Sequence, residues 1–203
     1  MVEFLKIFLP IYATIFFFAV FLLRTAIVWQ KTGINAFVLL KQGGTYGVIG
    51  VYFKLLPLAS FLAVVSYSFF PSMYDFLAPF HWLENQLIVF VGIFFLIISL
   101  FWIWVAQTQM GNSWRIGIDE QKKTDLVTTG MFSISRNPIF LGMKVNLLGF
   151  FLVIPNAVTL TVTVIGIALI DIQVRLEEQH LLNLHNESYQ NYYREVRRWL
   201  CIR

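Results

Sequence analysis

The sequence contains few charged residues, and this scarcity narrows the class of protein. Asp, Glu, Lys and Arg make up 13% of the 203 residues, whereas hydrophobic residues make up 58%. Soluble domains carry about 25% charged and about 45–50% apolar residues. The composition therefore indicates an integral membrane protein. No polar tract is long enough for a second unit, so we expect a single membrane domain over residues 1–203.

Cysteine and histidine are also scarce. The one cysteine, Cys201, cannot form an internal disulfide. The chain has three histidines, and His81 has no second His or Cys at metal-ligand spacing, so we expect no metal site. The net charge is only +4, and Lys and Arg lie mostly at the ends of apolar segments. This pattern favours a membrane-orientation signal over nucleic-acid binding.

Long apolar runs are the dominant feature of the sequence. They cover residues 7–23, 55–70, 87–106, 139–154 and 157–170. A membrane-crossing helix needs about 20 mostly apolar residues, so each run with its flanks is a candidate. The sequence therefore predicts an all-α polytopic membrane protein with about five transmembrane helices. Only Pro155 and Asn156 separate the last two runs, which predicts a C-terminal helical hairpin.

The segments between and after these runs have their own composition. Residues 31–54 are rich in glycine and predict a linker with a short helix around residues 36–40. Residues 185–203 are polar and aromatic, and predict an amphipathic helix on the membrane surface, anchored by Trp199 and Leu200. Residues 1–106 would then hold three spans and the linker. Residues 107–203 would hold the polar motifs, the hairpin and the tail.

Lysine and arginine predict the orientation. With about five spans they fall on one side of the membrane, whereas residues 71–86 and the turn at Pro155 contain none. Positive residues favour the cytoplasmic side, so we expect the N-terminus outside and the C-terminus in the cytoplasm. With no organelle signal visible, a prokaryotic plasma membrane is the expected location.

One polar stretch interrupts the apolar sequence at residues 124–142, TDLVTTGMFSISRNPIFLG. Proline suits the first position of a helix, so Pro138 predicts a helix start with Asn137 near its cap. The free N–H groups of that helix end would favour an anionic group or a carbonyl. Arg136 and Asn137 would equally serve to cap and anchor a membrane helix, and both interpretations remain open.

A second charged patch follows the hairpin. Asp171, Arg175 and Glu178 are spaced four and three residues apart, so they share one helix face, with Gln173 and Glu177 in a neighbouring row. The alternative is a solvated helix end with an internal ion-pair ladder. Because the hairpin returns to the surface it left, we expect the two patches to meet and form the site.

The two patches carry a family resemblance. Residues 126–130, LVTTG, and residues 136–142, RNPIFLG, resemble the signature of the isoprenylcysteine carboxyl methyltransferase family, whose relatives include the phospholipid N-methyltransferases. Glu177-Glu178 and a Tyr-rich tail follow at the family's spacing. The resemblance implies that S-adenosylmethionine binds in a cytoplasm-facing pocket. The implied cofactor contacts are Thr124, Leu126, Val127, Phe132, Asn137, Pro138, Ile139, Phe140 and Glu177.

The chain departs from this pattern at three positions. Asn137 stands where the family has His, Phe140 where it has Tyr, and Thr124 where the carboxyl methyltransferases often have His. An Asn-Pro pair is similar to the phospholipid methyltransferase variant of the motif. The resemblance therefore implies cofactor binding and leaves the methyl acceptor open.

The acceptor decides which charged residues would act. A carboxylate acceptor needs a cation to orient it, for which Arg136 is the first candidate and Arg175 the second. An amine acceptor needs a carboxylate to help remove a proton, such as Glu178 or Asp171. The leading hypothesis is methyl transfer to a lipophilic acceptor, such as an isoprenylcysteine-type carboxylate, with the membrane and a lipid as partners. The alternatives are phospholipid amine N-methylation, a nicotinamide-dependent reductase of the sterol-reductase type, and a non-catalytic scaffold.

Overall fold

A computed structural model describes residues 1–33, 44–114 and 125–200, and the regular structure in these ranges is helical. Four of the described helical segments are long and apolar enough to cross a membrane. They are Val2–Thr32, Ile49–Phe69, Gln86–Met110 and Ala157–His185. A shorter apolar helix, Pro138–Val153, adds a fifth. The predicted all-α polytopic membrane fold is confirmed.

The first span is longer than the apolar run that predicted it. Helix α1 (Val2–Phe17) continues through a π-helical turn at Phe18–Leu23 into α2 (Arg24–Thr32). Pro10 lies inside α1 without ending it. The helix stops at Gly33, whose φ of 66° is the left-handed conformation that glycine adopts at helix ends.

Helix α3 (Gly44–Phe69) corrects part of the linker prediction. Residues 44–54, expected to be a linker, form the first turns of this helix, while residues 34–43, with the expected short helix, lie outside the described residues. Each helical glycine costs about 1 kcal/mol relative to alanine. The apolar residues Ile49, Val51 and Phe53 continue the helix despite that cost, because they belong to a membrane-spanning segment.

The predicted helical hairpin is present. Helix α6 (Pro138–Val153) and helix α7 (Ala157–His185) are joined by a three-residue turn. Asn156 begins α7 with a capping box, in which its side chain accepts from the Thr159 N–H and the Thr159 hydroxyl accepts from the Asn156 N–H. The short loop after α4 (Pro71–Tyr74) supports this turn, since the Phe80 N–H donates to the Pro155 carbonyl over 2.8 Å.

Two glycines let α6 pack closely against α5 (Gln86–Met110). A Cβ added at Gly149 would lie 2.9 Å from the Gly92 carbonyl oxygen, and one added at Gly92 would lie 2.9 Å from that of Gly149. The backbones therefore touch at this crossing, as small residues allow in membrane bundles. We call the end of the bundle that holds Pro155 the turn end, and the end that holds Pro138 the motif end.

The tail differs from the predicted surface helix. Helix α8 covers only Glu187–Glu195, and its Tyr189 and Tyr192 are buried. Val196–Leu200 then runs as a non-helical strap against the start of α6, where the Arg136 N–H donates to the Arg197 carbonyl over 3.0 Å. Trp199 is half-buried, and the Lys144 ammonium lies 3.7 Å from its ring centre. Trp199 therefore packs on the hairpin, and only Leu200 is exposed as an anchor would be.

Candidate active site

A cavity lies at the motif end of the bundle and encloses about 710 Å³ of empty space, including its open mouth. Its lining comes from the π-helical turn of the first span, α3, α5 and the residues after it, the loop before α6, α6 and α7. The lining residues are Phe21, Phe53, Gln107, Met110, Trp114, Phe132, Arg136, Asn137, Pro138, Ile139, Phe140, Met143, Gln173 and Glu177. Seven of these were predicted site residues, six from the first patch and Glu177 from the second, so the two patches meet at this cavity.

The start of α6 places the motif in the cavity wall. Pro138 occupies the first helical position, as predicted, and its carbonyl accepts from the Trp102 indole N–H over 2.9 Å. Asn137 is the N-cap residue, but its side chain does not cap the helix. Instead its Nδ2 donates to the Glu178 carboxylate over 2.9 Å. The free backbone N–H groups at this end of α6 are therefore not covered by the cap side chain.

Glu178 is the centre of an ion-pair cluster on the tail side of α7. Its Oε1 accepts from Arg136 Nε and Nη2, both at 3.1 Å, and its Oε2 accepts from Arg198 Nη2 at 2.7 Å and Nε at 3.0 Å. Glu178 is 6% exposed and is not part of the cavity lining. Glu178, which was predicted as a catalytic carboxylate, therefore joins the loop before α6 to the strap at residues 196–200.

Arg136 lines the cavity, but all three nitrogens of its guanidinium already donate hydrogen bonds within the protein. Besides Glu178, its Nη1 donates to the Tyr193 carbonyl over 3.0 Å and to the Val196 carbonyl, and its Cζ lies 4.0 Å from the centre of the Tyr193 ring. The side chain is 6% exposed. Arg175, the second predicted cation, is exposed and is absent from the described lining.

Glu177 differs from Glu178 in its location and in its contacts. It lines the cavity, and within the described residues it makes no hydrogen bond or ion pair. Two glutamines in the same lining carry amide oxygens that are buried and lack a described partner, Gln107 Oε1 and Gln173 Oε1. The polar part of the cavity therefore offers hydrogen-bond acceptors that the protein itself leaves unsatisfied.

The sequence predictions missed these two glutamines as site residues. Gln173 precedes Glu177 by one helical turn, so the shared helix face was the available signal. Gln107 is the first polar residue after the uncharged run 87–106, and a polar residue at the end of such a run was the signal there. Trp114 is 2% exposed and lies in the cavity wall.

The loop before α6 rests on the tail. The Tyr192 hydroxyl donates to the Phe132 carbonyl over 2.6 Å, and burial raises the pKa of Tyr192, so the hydroxyl stays protonated for that bond. Leu126 packs against the cluster of Tyr189, Tyr192 and Val196, and neither Leu126 nor Val127 is among the described lining residues. Thr124, the remaining predicted contact, lies outside the described residues.

The ladder considered for Asp171, Arg175 and Glu178 does not form. Asp171 accepts from Lys144 Nζ across the hairpin at 2.7 Å, and Glu178 pairs with Arg136 and Arg198. Partners on neighbouring elements replace the partners one turn away, because the helix packs against α6 and the tail on these faces.

The fold and the cavity define a polytopic helical membrane protein with an acceptor-rich pocket at one end of the bundle. The sequence model of the phospholipid methyltransferase family matches residues 87–188, half of the chain, and the chain belongs to that family. The resemblance to membrane methyltransferases is thereby confirmed. No curated protein and no solved structure matches the chain.

Proposed function

We propose that this protein transfers a methyl group from S-adenosylmethionine to a lipophilic acceptor. The observation that carries the proposal is Glu177, an unpaired carboxylate in an aromatic-walled cavity beside the start of α6. Both elements lie within the part of the chain that matches the family. When bound, S-adenosylmethionine would supply an electrophilic methyl group on a sulfonium.

The cavity suits this cofactor on two counts. The unsatisfied oxygens of Glu177 and Gln173 match a ligand with amino and hydroxyl donors. The faces of Phe132 and Phe140 favour an organic cation, as do aromatic rings in other cation sites.

The chain's own contribution to the reaction would be positioning and exclusion of water. Glu177 would hold donor groups of the cofactor through charge-assisted hydrogen bonds. The apolar lining, including Ile139 and Met143, would keep water from the reacting atoms. A displacement in line gains most from fixed geometry, and the anchoring of Arg136 and Asn137 to Glu178 supplies a rigid wall.

The second candidate for the methyl acceptor is a phospholipid amine, and the contacts of the arginines favour it over a carboxylate. A carboxylate acceptor needs a free cation, but Arg136 is engaged by Glu178 and two carbonyls, and Arg175 is absent from the described lining. An amine instead finds the buried amide oxygen of Gln107, which has no partner among the described residues. The same engagement of Arg136 weighs against a nicotinamide cofactor with an extra phosphate, since such a group requires cationic partners.

The proposed location is a prokaryotic plasma membrane with the motif end in the cytoplasm.

Binding of S-adenosylmethionine to the detergent-purified protein, measured by calorimetry, tests the cofactor. We expect Glu177→Gln to weaken binding about 10- to 100-fold, the effect of losing a hydrogen bond to a charged group. Arg175→Gln is the control, because Arg175 is an exposed residue of the same helix, and it should bind like the unaltered protein. Absence of binding by folded protein, or equal binding by the two variants, would refute the proposal. A scaffold would give the first of these results.

A further inference from the structure

The cavity has a second wall, two of whose three residues lie outside the family-matched residues. Phe21 comes from the π-helical turn of the first span and Phe53 from α3, and both precede residue 87. Gln107 of α5 lines the cavity as well. We call these three residues the second wall. We call the motif residues Pro138, Ile139 and Phe140 of α6, together with Glu177 of α7, the motif wall.

A hydrogen bond between helices fixes the π-helical turn. Gln107 Nε2 donates to the Val20 carbonyl over 3.0 Å, and both residues are at most 1% exposed. π-helical turns are rare and occur often at functional sites, because they rotate the following side chains relative to a regular helix. Here the turn places Phe21 in the cavity while Val20 faces α5.

The same bond determines which end of the Gln107 amide remains available. Since the nitrogen donates to Val20, the oxygen is the free atom, and it has no partner among the described residues. A buried polar atom without a hydrogen-bond partner destabilises the folded protein. A ligand with an N–H or O–H donor would remove that cost, and the cavity is where such a ligand would contact Gln107.

The two walls are fixed to one helix end. Gln109, two residues beyond Gln107, accepts from the Met131 N–H of the motif loop over 2.7 Å. Arg24 Nη2 donates to the Gly111 carbonyl over 2.6 Å and so joins α2 to the end of α5. The last turns of α5 therefore join the first span, which carries Phe21, to the loop before α6.

We propose that Phe21, Phe53 and Gln107 form an acceptor subsite, which takes an amphiphile with an apolar chain and a hydrogen-bond-donating head group. The chain would lie against the two rings, and the head group would donate to Gln107 Oε1. This inference rests on the proposed methyl transfer, and it assigns the cofactor to the motif wall and the acceptor to the second wall.

The test compares two lipids that differ in head-group donors. Phosphatidylethanolamine has ammonium N–H donors and phosphatidylcholine has none. With a pyrene on one acyl chain of each, energy transfer from tryptophan reports binding to the protein in detergent, and unlabelled lipid of the same kind corrects for non-specific uptake. We expect tighter binding of phosphatidylethanolamine by about tenfold, the value of one hydrogen bond to a charged donor. Equal binding of the two lipids, or no competable binding, would overturn the subsite.

Two variants locate the subsite within the cavity. Gln107→Met should abolish the head-group preference, and Phe53→Ala should weaken binding of both lipids about tenfold through lost apolar contact. Phe61→Ala is the control for Phe53, because it lies on the same helix and is 52% exposed. If Gln107→Met does not fold, Phe53→Ala still decides, since an effect no larger than that of Phe61→Ala would contradict the subsite.

Calorimetry with S-adenosylmethionine on the same samples separates the two proposals. The affinity for S-adenosylmethionine should be unchanged in Phe53→Ala if the cofactor occupies the motif wall. A loss of cofactor binding in this folded variant would contradict the division of the cavity. Absence of cofactor binding in the unaltered protein would instead refute the proposed function, whatever the lipid result.

Discussion

Two neighbouring carboxylates on α7 have opposite surroundings. Glu178 faces the tail, where two arginines and Asn137 satisfy both of its oxygens, and Glu177 faces the cavity without a described partner. Consecutive helical residues point about 100° apart, so one step along the chain separates them. The difference teaches that a pair of identical residues in a motif can divide the work, one holding the site together and the other left free to bind.

The largest expected effect comes from removing the charge of Glu178. Glu178→Gln leaves Arg136 and Arg198 without their anionic partner, and breaking a buried ion pair costs about 3–5 kcal/mol. Thermal unfolding in detergent, followed by tryptophan fluorescence, should show a midpoint many degrees lower. Glu177→Gln in the same assay should unfold near the unaltered protein. Similar midpoints for the two variants would show that the two carboxylates do not divide these roles.

A smaller effect is expected at the outer partner of Glu178. The Arg198 side chain is 28% exposed, whereas that of Arg136 is 6% exposed, so solvent screens the Arg198 pair more strongly. Arg198→Gln should lower the free energy of unfolding by about 1 kcal/mol. A double-mutant cycle with Glu178→Gln isolates the pair energy. A cost equal to that of Arg136→Gln would show that burial does not set the order.

The smallest effect is expected at Lys144, which pairs with a third carboxylate, Asp171. The Asp171 side chain is 42% exposed, so this ion pair resembles a solvent-exposed surface ion pair. Lys144→Gln should lower the free energy of unfolding by about 0.5 kcal/mol, from the exposed pair and the contact with Trp199. The same unfolding assay measures it. If Lys144→Gln lowers the free energy of unfolding by more than Arg198→Gln does, the tail is held mainly through Trp199 and not through Glu178.

The hairpin and the motif were predictable because local chemistry determines them. Proline is well suited to the first position of a helix, as at Pro138, and Pro155-Asn156 separates two apolar runs by too few residues for anything but a turn. The spacing of the two patches then placed Asn137 and Glu177 at the same end of the bundle. Seven predicted residues line one cavity for these reasons.

The contacts between distant segments were not predictable in the same way. The spacing rule for helices offered Arg175 as the partner of Asp171 and Glu178, but Lys144, Arg136 and Arg198 took those places from other elements. The π-helical turn has no sequence signature, since it depends on Gln107 reaching Val20 from another helix. The tail ends its helix at Glu195 because the following residues bond to the motif loop.

The shortness of α6 has a consequence for how the proposed lipid acceptor would reach the cavity. Sixteen residues span about 24 Å, whereas the hydrocarbon layer is about 30 Å thick. With the Pro155 turn at one edge of that layer, the start of α6 lies about 6 Å inside the other edge. The part of the cavity beside the start of α6 would then lie deeper in the bilayer than the lipid head groups. The proposed acceptor would therefore move towards the bilayer centre, and not out of the membrane, to reach it. Every methylene that stays in the hydrocarbon spares about 0.8 kcal/mol of extraction work.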